Sequence, residues 1–224
     1  MIRRAYQDGH EIGGHANGHW DGSEFTYEEW RSELEQFQHF VANAYELNGI
    51  QDPNPTEWAS VAQSVVSFRA PLLAYNAPMY RALADTGYRY DTSQVQSVTV
   101  DPNFAQFGVR IFPLSPIKTT RGRTITMDYN FFVLNQGRPD GAGAHMLASY
   151  KKHFAHAKER GVTRVQYGHH FSRWHGGQYW WALKEFIKAV CDTGYGQCVT
   201  ISDASSRPEQ TATVSTADAQ LRRD

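Results

Sequence analysis

The sequence predicts an α/β fold, a largely parallel sheet or barrel with helices outside it, on three observations. Short apolar runs alternate with segments of helical periodicity along most of the chain. Gly, Pro, Asn and Asp punctuate the boundaries between them. No internal repeat interrupts that order. In folds of this kind the chemistry gathers at the C-terminal ends of the strands.

The opening of the chain reads as the middle of a helix and its exit loop. Thr26-Tyr27-Glu28-Glu29 is a capping box that opens a helix with apolar positions Trp30, Leu34, Phe37, Val41 and Tyr45. Asp52-Pro53-Asn54-Pro55 turns the chain, and Val65–Phe68 forms a short strand leading into Arg69-Ala70-Pro71. Pro78 stands near the start of a helix that carries Met79 and Leu83 and stops at Gly87. Val109–Phe112 and Thr124–Met127 read as further strands. Leu147, Tyr150, Phe154 and Ala157 mark a helix ending at Gly161, and Val162–Tyr167 a strand after it. Tyr179, Leu183, Phe186, Ile187 and Val190 line another helix, and Cys198–Ile201 is expected to be the last strand. Residues 1–203 make one domain; 204–224 are polar and read as a disordered tail.

A chain of 224 residues is long enough for one such domain with a sizeable core. Its net charge of −1, with both signs interspersed, leaves no basic stripe and argues against a nucleic-acid partner. No apolar run approaches the roughly 20 residues that span a bilayer. The opening Met1-Ile2-Arg3-Arg4 leads at once into polar residues rather than a leader. Cys191 and Cys198 either close a small disulfide loop, which points to an oxidising compartment, or stay as two buried thiols. Aromatic residues cluster late in the chain and supply material for a sugar-binding surface as well as a core.

Two histidines, His15 and His19, stand four residues apart in the run from Gly9 to Trp20. Imidazoles so spaced share one metal ion when the backbone between them coils by about one turn, and they suit Zn²⁺, Co²⁺ or Ni²⁺ better than Mg²⁺. Taken alone, the pair reads first as a solvated or hydrogen-bonded loop pair and only second as a metal site. Arg69, Asp128 and His170 each follow a strand candidate within a few residues, which places them on one rim. Locally, Arg69 also reads as a surface cation and Asp128 as the cap of a turn. His169 and His170 are adjacent, so only one of them faces a site. Trp174, Trp180 and Trp181 either stack on sugar rings or pack the core.

In this order, these segments resemble the polysaccharide deacetylases of carbohydrate esterase family four, over about residues 2–203. The family phrase G-H-E-I-G-N followed by H-S/T-x-x-H is matched by Gly9–His19, and R-x-P by Arg69-Ala70-Pro71. Its aspartate-plus-aromatic motif is matched by Asp128-Tyr129, and its late L-x-H by His170 in Tyr167–Phe171. The resemblance implies a distorted, incomplete (β/α) barrel and a metal-dependent hydrolase, secreted or in the cell envelope. Its substrate would be an N- or O-acetylated polysaccharide of the chitin, xylan or peptidoglycan type. His15 and His19 would hold a divalent metal, zinc or else cobalt or nickel. His170 would be the general acid, with Arg69 and Asp128 as orienting charges. Pro71, Leu72 and Trp174 would contact substrate, the Leu72 N–H stabilising an oxyanion.

Three departures go with it. Nothing before His10 matches the family's early T-F-D-D strand, which carries a base and a further metal ligand. Ala16 stands where the family has Ser or Thr, and Leu72 where it has tyrosine. The chain then reads as part of a longer deacetylase or as a non-catalytic carbohydrate-binding relative; a small-molecule amidohydrolase is the weaker third reading.

Overall fold

Very short strands build the sheet in the computed structural model, which describes residues 1–51, 54–97 and 105–206. β1 (Ser67–Phe68), β2 (Tyr90–Asp91), β3 (Ala105–Gln106) and β4 (Val109–Ile111) lie in the order β1-β2-β4-β3. β1 and β2 pair in parallel, Ser67 opposite Tyr90, as do β2 and β4, Tyr90 opposite Arg110. β3 runs antiparallel on β4. β5 (Pro116–Thr119) and β6 (Gly122–Ile125) form a separate hairpin.

Single bridges extend the parallel series at both ends. Gly14 pairs with Phe68, its N–H donating to the Ser67 carbonyl at 2.8 Å. At the other end the Thr126 N–H reaches the Ser115 carbonyl at 2.9 Å, and Met127 pairs with Gly168. The resulting order is Gly14, β1, β2, β4, and the parallel Met127–Gly168 pair is tied on through the antiparallel β5–β6 hairpin. Among the described residues no backbone hydrogen bond joins Gly168 back to Gly14, so the ring stays open there.

Helices cover the sheet. α1 (Ile2–Gln7) is followed by α2 (Tyr27–Ala42), which begins with the full Thr26–Glu29 capping box. α3 (Pro55–Ser64) precedes β1, and α4 (Ala77–Asp85) follows it. Asn76 caps α4 through the Met79 N–H at 3.2 Å and also accepts the buried Trp30 indole N–H at 2.8 Å. Trp30 and Leu34 bury with Phe68, Met79, Leu83 and Ile111 in one core. Burial of such side chains contributes about 1.5–3 kcal/mol each. α5 (Asp128–Leu134), α6 (Ala142–Glu159) and α7 (Trp174–Ile187) enclose a second core of Phe131, Met146, Tyr150, Tyr179 and Phe186. None of the helices among the described residues is long and apolar enough to cross a membrane.

Two expected strands are absent. Val162–Tyr167 forms no ladder; only Gly168 bridges, because Tyr167 turns into the second core against Tyr150 and Phe186. Cys198 is disulfide-bonded to Cys191 near the end of α7, which draws the following residues away from the sheet. Thr200 then accepts the Asp203 N–H at 3.0 Å, and Ile201–Ser206 coils as α8. The Asp52-Pro53 half of the expected turn and residues 207–224 of the expected tail lie outside the described residues.

Candidate active site

Each predicted site residue sits just past a segment of the parallel series. His15 follows Gly14, Arg69 follows β1, Asp128 follows Met127, and His170 stands two residues beyond Gly168. The sheet therefore brings His15, Asp128 and His170 to one rim with Arg69 just below it, although they are scattered along the chain. His15 is joined to the next loop directly, its Nδ1 lying 2.7 Å from the Arg69 carbonyl oxygen. The His15 and His19 ring centres are 5.1 Å apart, edge to face. The turn between them is a loop rather than a helix, pinned by Glu33 of α2, which accepts the Asn17 and Gly18 N–H groups at 2.9 and 2.6 Å.

Backbone strain concentrates here. Six described non-glycine residues have positive φ, and five of them, Ala16, His19, Leu72, Leu73 and His175, lie on the loops that carry the rim. Each costs on the order of 1 kcal/mol or more and persists only where the surroundings enforce it. Ser93 enforces the Pro71–Leu72 turn, its hydroxyl accepting the Ala70 N–H at 2.8 Å. Pro71 is buried, and the Leu72 side chain points to solvent.

The same Asp128 carboxylate takes the next backbone N–H of α5 and holds His170. Oδ1 accepts the Tyr129 N–H at 2.7 Å and the His170 Nδ1–H at 2.7 Å; Oδ2 accepts the His170 backbone N–H at 2.9 Å. With Nδ1 committed, Nε2 is the free end of the half-exposed His170 ring. His169 goes the other way: it is buried against Tyr150, and burial pushes its pKa down to about 4. Trp174 stands 5.4 Å from the His170 ring and stacks on Phe132 at 5.2 Å, with Tyr129 alongside at 5.5 Å.

Arg69 lies beneath the rim rather than on it. Its Nε donates to Thr92 Oγ1 at 3.1 Å, and the Gln166 amide, oriented to satisfy both neighbours, accepts from its Nη2 at 2.8 Å. Gly168 leaves the room: a Cβ there would stand 3.1 Å from Arg69 Nη1. Burial lowers the Arg69 pKa, opposed by the charges of Asp91 and Asp128, and the guanidinium stays protonated. At His15 burial also lowers the pKa, opposed by the bond to the Arg69 carbonyl; the charges of His19, Arg69 and His170 add to the lowering.

Asp91, Thr92, Ser93, Gln166 and Glu33 escape the sequence reading, because each acts on the site through a neighbour. Asp91 is fully buried at the end of β2 and accepts from Ser93 Oγ at 2.5 Å and Tyr80 Oη at 3.0 Å. A strand ending in an aspartate beside Arg69 is the signal that marks it. Burial raises its pKa to about 6 despite those bonds. A raised carboxyl pKa favours the folded state while protonated, so this contribution is full below about pH 4 and fades as pH rises through 6. Asp91→Asn removes the titration. The stability of the variant relative to wild type is therefore expected to rise between pH 4 and 7, by up to about 3 kcal/mol. Urea unfolding at several pH values checks this; a pH-independent difference rejects it.

The donor set fits a divalent cation in kind. The Arg69 carbonyl takes the Nδ1–H of His15, the backbone contact that orients metal-binding imidazoles and leaves Nε2 as the ligand atom. In number it falls short: among the described residues no group of three or more His, Cys, Asp or Glu is placed to hold a metal.

No protein-family model matches the chain, and no curated protein does. Solved structures do. A structure provisionally described as a polysaccharide deacetylase from Mycobacterium smegmatis superposes with a TM-score of 0.63 at 20% identity, over 91% of this chain and 65% of that one. This chain thus spans somewhat under two thirds of that relative. The Xyl-CE4 domain of a multidomain xylanase from the hindgut metagenome of Trinervitermes trinervoides gives 0.50 at 16%, over 93% of this chain and 71% of that domain. A 4-alpha-glucanotransferase from Thermococcus litoralis gives 0.51 at 14%, over 92% of this chain but 30% of that enzyme. Identities this low speak to architecture and leave the reaction open. The chain has the fold of the polysaccharide deacetylases.

Proposed function

We propose that the rim of His15, His19, Asp128 and His170 binds an acetylated polysaccharide or oligosaccharide and removes acetyl groups from it by metal-dependent hydrolysis. The observation that carries the reading is the meeting of a carboxylate-held histidine with an imidazole pair on one rim of a deacetylase fold. His15 and His19 are two ligands for zinc, cobalt or nickel. A bound cation of this kind supplies Lewis-acid polarisation of the acetyl carbonyl. A third ligand and a base carboxylate would enter at the open edge between Gly14 and Gly168.

His170, in its doubly protonated form, gives its Nε2 proton to the departing amine of an amide or alkoxide of an ester, while its Nδ1–H stays on Asp128. Asp128 holds the ring in the orientation this requires. The strained turn at Leu72 presents its N–H to the developing oxyanion. Trp174 and Tyr129 hold the apolar face of the sugar or the acetyl methyl. Arg69 positions the loops from below. The Cys191–Cys198 disulfide supports an extracellular or cell-envelope site of action.

The missing third metal ligand among the described residues favours a second reading, a carbohydrate-binding relative without turnover. Acetate release and equilibrium binding, measured on N-acetylglucosamine oligomers and acetylated xylan with added zinc or cobalt, separate the two. Hydrolysis predicts release by wild type that falls at least about 100-fold in His170→Ala with binding retained. Binding without release supports the second reading. The absence of both rejects the site as a glycan site.

A further inference from the structure

We infer that the basic outer face of the β5–β6 hairpin docks on the acidic outer face of α2 in a second copy of this chain, so that molecules join head to tail. The inference owes nothing to the glycan reading above. The net charge of −1 conceals a segregation of charge along the chain. Residues 1–97 hold thirteen Asp and Glu against six Arg and no Lys, whereas residues 105–206 hold thirteen Lys and Arg against six Asp and Glu. Opposite charge on two parts of one molecule favours association in which the unlike parts meet.

The hairpin concentrates the positive charge. Lys118 of β5 stands directly opposite Arg123 of β6, both are exposed, and among the described residues neither pairs with a carboxylate. Like charges in that register repel each other and weaken the hairpin until an anion lies over them. Arg121 ties the hairpin tip to the next loop through neutral acceptors: its guanidinium donates to Asn135 Oδ1 at 2.7 Å and to the Arg138 and Asp140 carbonyls at 3.1 Å each. That tie sets the exposed Arg138 beside the tip and leaves the Arg121 charge in place. From Pro116 to Pro139 the one acid is Asp128, which is buried and engaged with His170; the exposed Asp140 follows at the margin.

The complementary charge lies on α2 and the turn before it. Asp21 to Glu35 holds six acids and one cation, Arg31, which pairs with Glu35 at 2.7 Å. Glu29 and Glu33 spend oxygens on backbone N–H groups, of Thr26 and of Asn17 and Gly18, bonds that bring no cation. Glu28, Ser32 and Glu35 line one side of the helix at spacings of four and three residues, along a groove of about 460 Å³. α2 buries Trp30 and Leu34 in the first core, whereas the hairpin buries Ile117 in the second. Each face turns outward from a different core, and among the described residues no ion pair joins the two within one molecule. A second copy offers each face its complement. Because unlike faces meet, the contact does not close by two-fold symmetry, and every pair keeps one face of each kind open.

Sedimentation velocity of the whole chain, over a concentration series in low and in high salt, tests this. The average mass of wild type is expected to rise with concentration in about 20 mM salt, and the association constant to fall at least about tenfold in about 0.2 M salt, where exposed charges are screened. Lys118→Glu with Arg123→Glu, and separately Glu28→Lys with Glu35→Lys, are each expected to stay monomeric in low salt. All four side chains are exposed, and circular dichroism checks that both variants fold as wild type does. Mixed, the two variants are expected to associate again, because each reversed face then meets its reversed counterpart; a variant that had merely lost its structure gives no such recovery. Wild type that stays monomeric in low salt overturns the inference. So does association that high salt or either reversal leaves unchanged, and so does a mixture that stays monomeric. None of these outcomes bears on the glycan reading.

Discussion

Asp128→Ala is expected to lower the unfolding free energy by about 3–5 kcal/mol, the cost of removing one partner from a buried charged network. The carboxylate is 2% exposed and accepts three close hydrogen bonds, from Tyr129, from the His170 backbone and from the His170 ring. Removal leaves two backbone N–H groups without their acceptor and releases the His170 loop together with the start of α5. His170→Ala removes only the half-exposed end of the same network and is expected to cost about 1 kcal/mol. Asp128→Asn retains the shape but turns an amide N–H toward a donor, so it falls between the two. Urea unfolding of the three variants checks the order. Asp128→Ala within 1 kcal/mol or so of wild type rejects the network as what holds this rim. The comparison also separates positioning from chemistry: glycan turnover, where present, is expected to fall in both alanine variants, but only His170→Ala does so while stability is nearly kept.

The legible parts of this fold are those with local physical causes. The capping box at Thr26, the Pro78 helix start and the apolar spacing of α6 and α7 all specify their elements within a few residues of chain. Strand extents were harder to read. β1 and β2 hold two residues each, too few for alternation to show, and β2 was not anticipated at all. The Val162–Tyr167 run has strand-like composition, yet one side of its segment meets the open edge of the ring and its tyrosine goes to the core. Cys198–Ile201 reads as a strand until the disulfide and the Thr200 cap are seen.

A similar division runs through the site. His15, His19, Arg69, Asp128 and His170 were visible because chemical type and position after a strand coincide. The reading of Asp128 as a cap is not met, since Met127 is the N-cap of α5 and the carboxylate takes the Tyr129 N–H and His170 instead. Asp91 and Gln166 were invisible because their partners come from other loops: Asp91 reaches the Arg69 turn through Ser93, and Gln166 meets Arg69 directly. Long-range hydrogen bonding of that sort has no signature in spacing.

His15→Ala and His19→Ala are each expected to lower zinc retention at least about 100-fold, because a site with two protein ligands left cannot spare one. The competing role for His15 is purely mechanical: its Nδ1 contact ties the Gly14 loop to the Arg69 carbonyl. Loss of that one exposed bond costs about 1 kcal/mol, so a mechanical role moves stability slightly and zinc not at all. His19 has no comparable bond to the Arg69 turn; a mechanical account therefore predicts that the two variants differ, and a shared cation predicts that they match. Equilibrium dialysis against zinc followed by elemental analysis reads this directly, without recourse to turnover. His39→Ala, a surface imidazole on α2, serves as the control and is expected to retain zinc as wild type does. His170→Ala is expected to do the same, since its free Nε2 is assigned to the departing group rather than to the cation. Equal zinc in wild type, His15→Ala and His19→Ala rejects the pair as a metal site and leaves the strained loop to be explained by sugar binding alone.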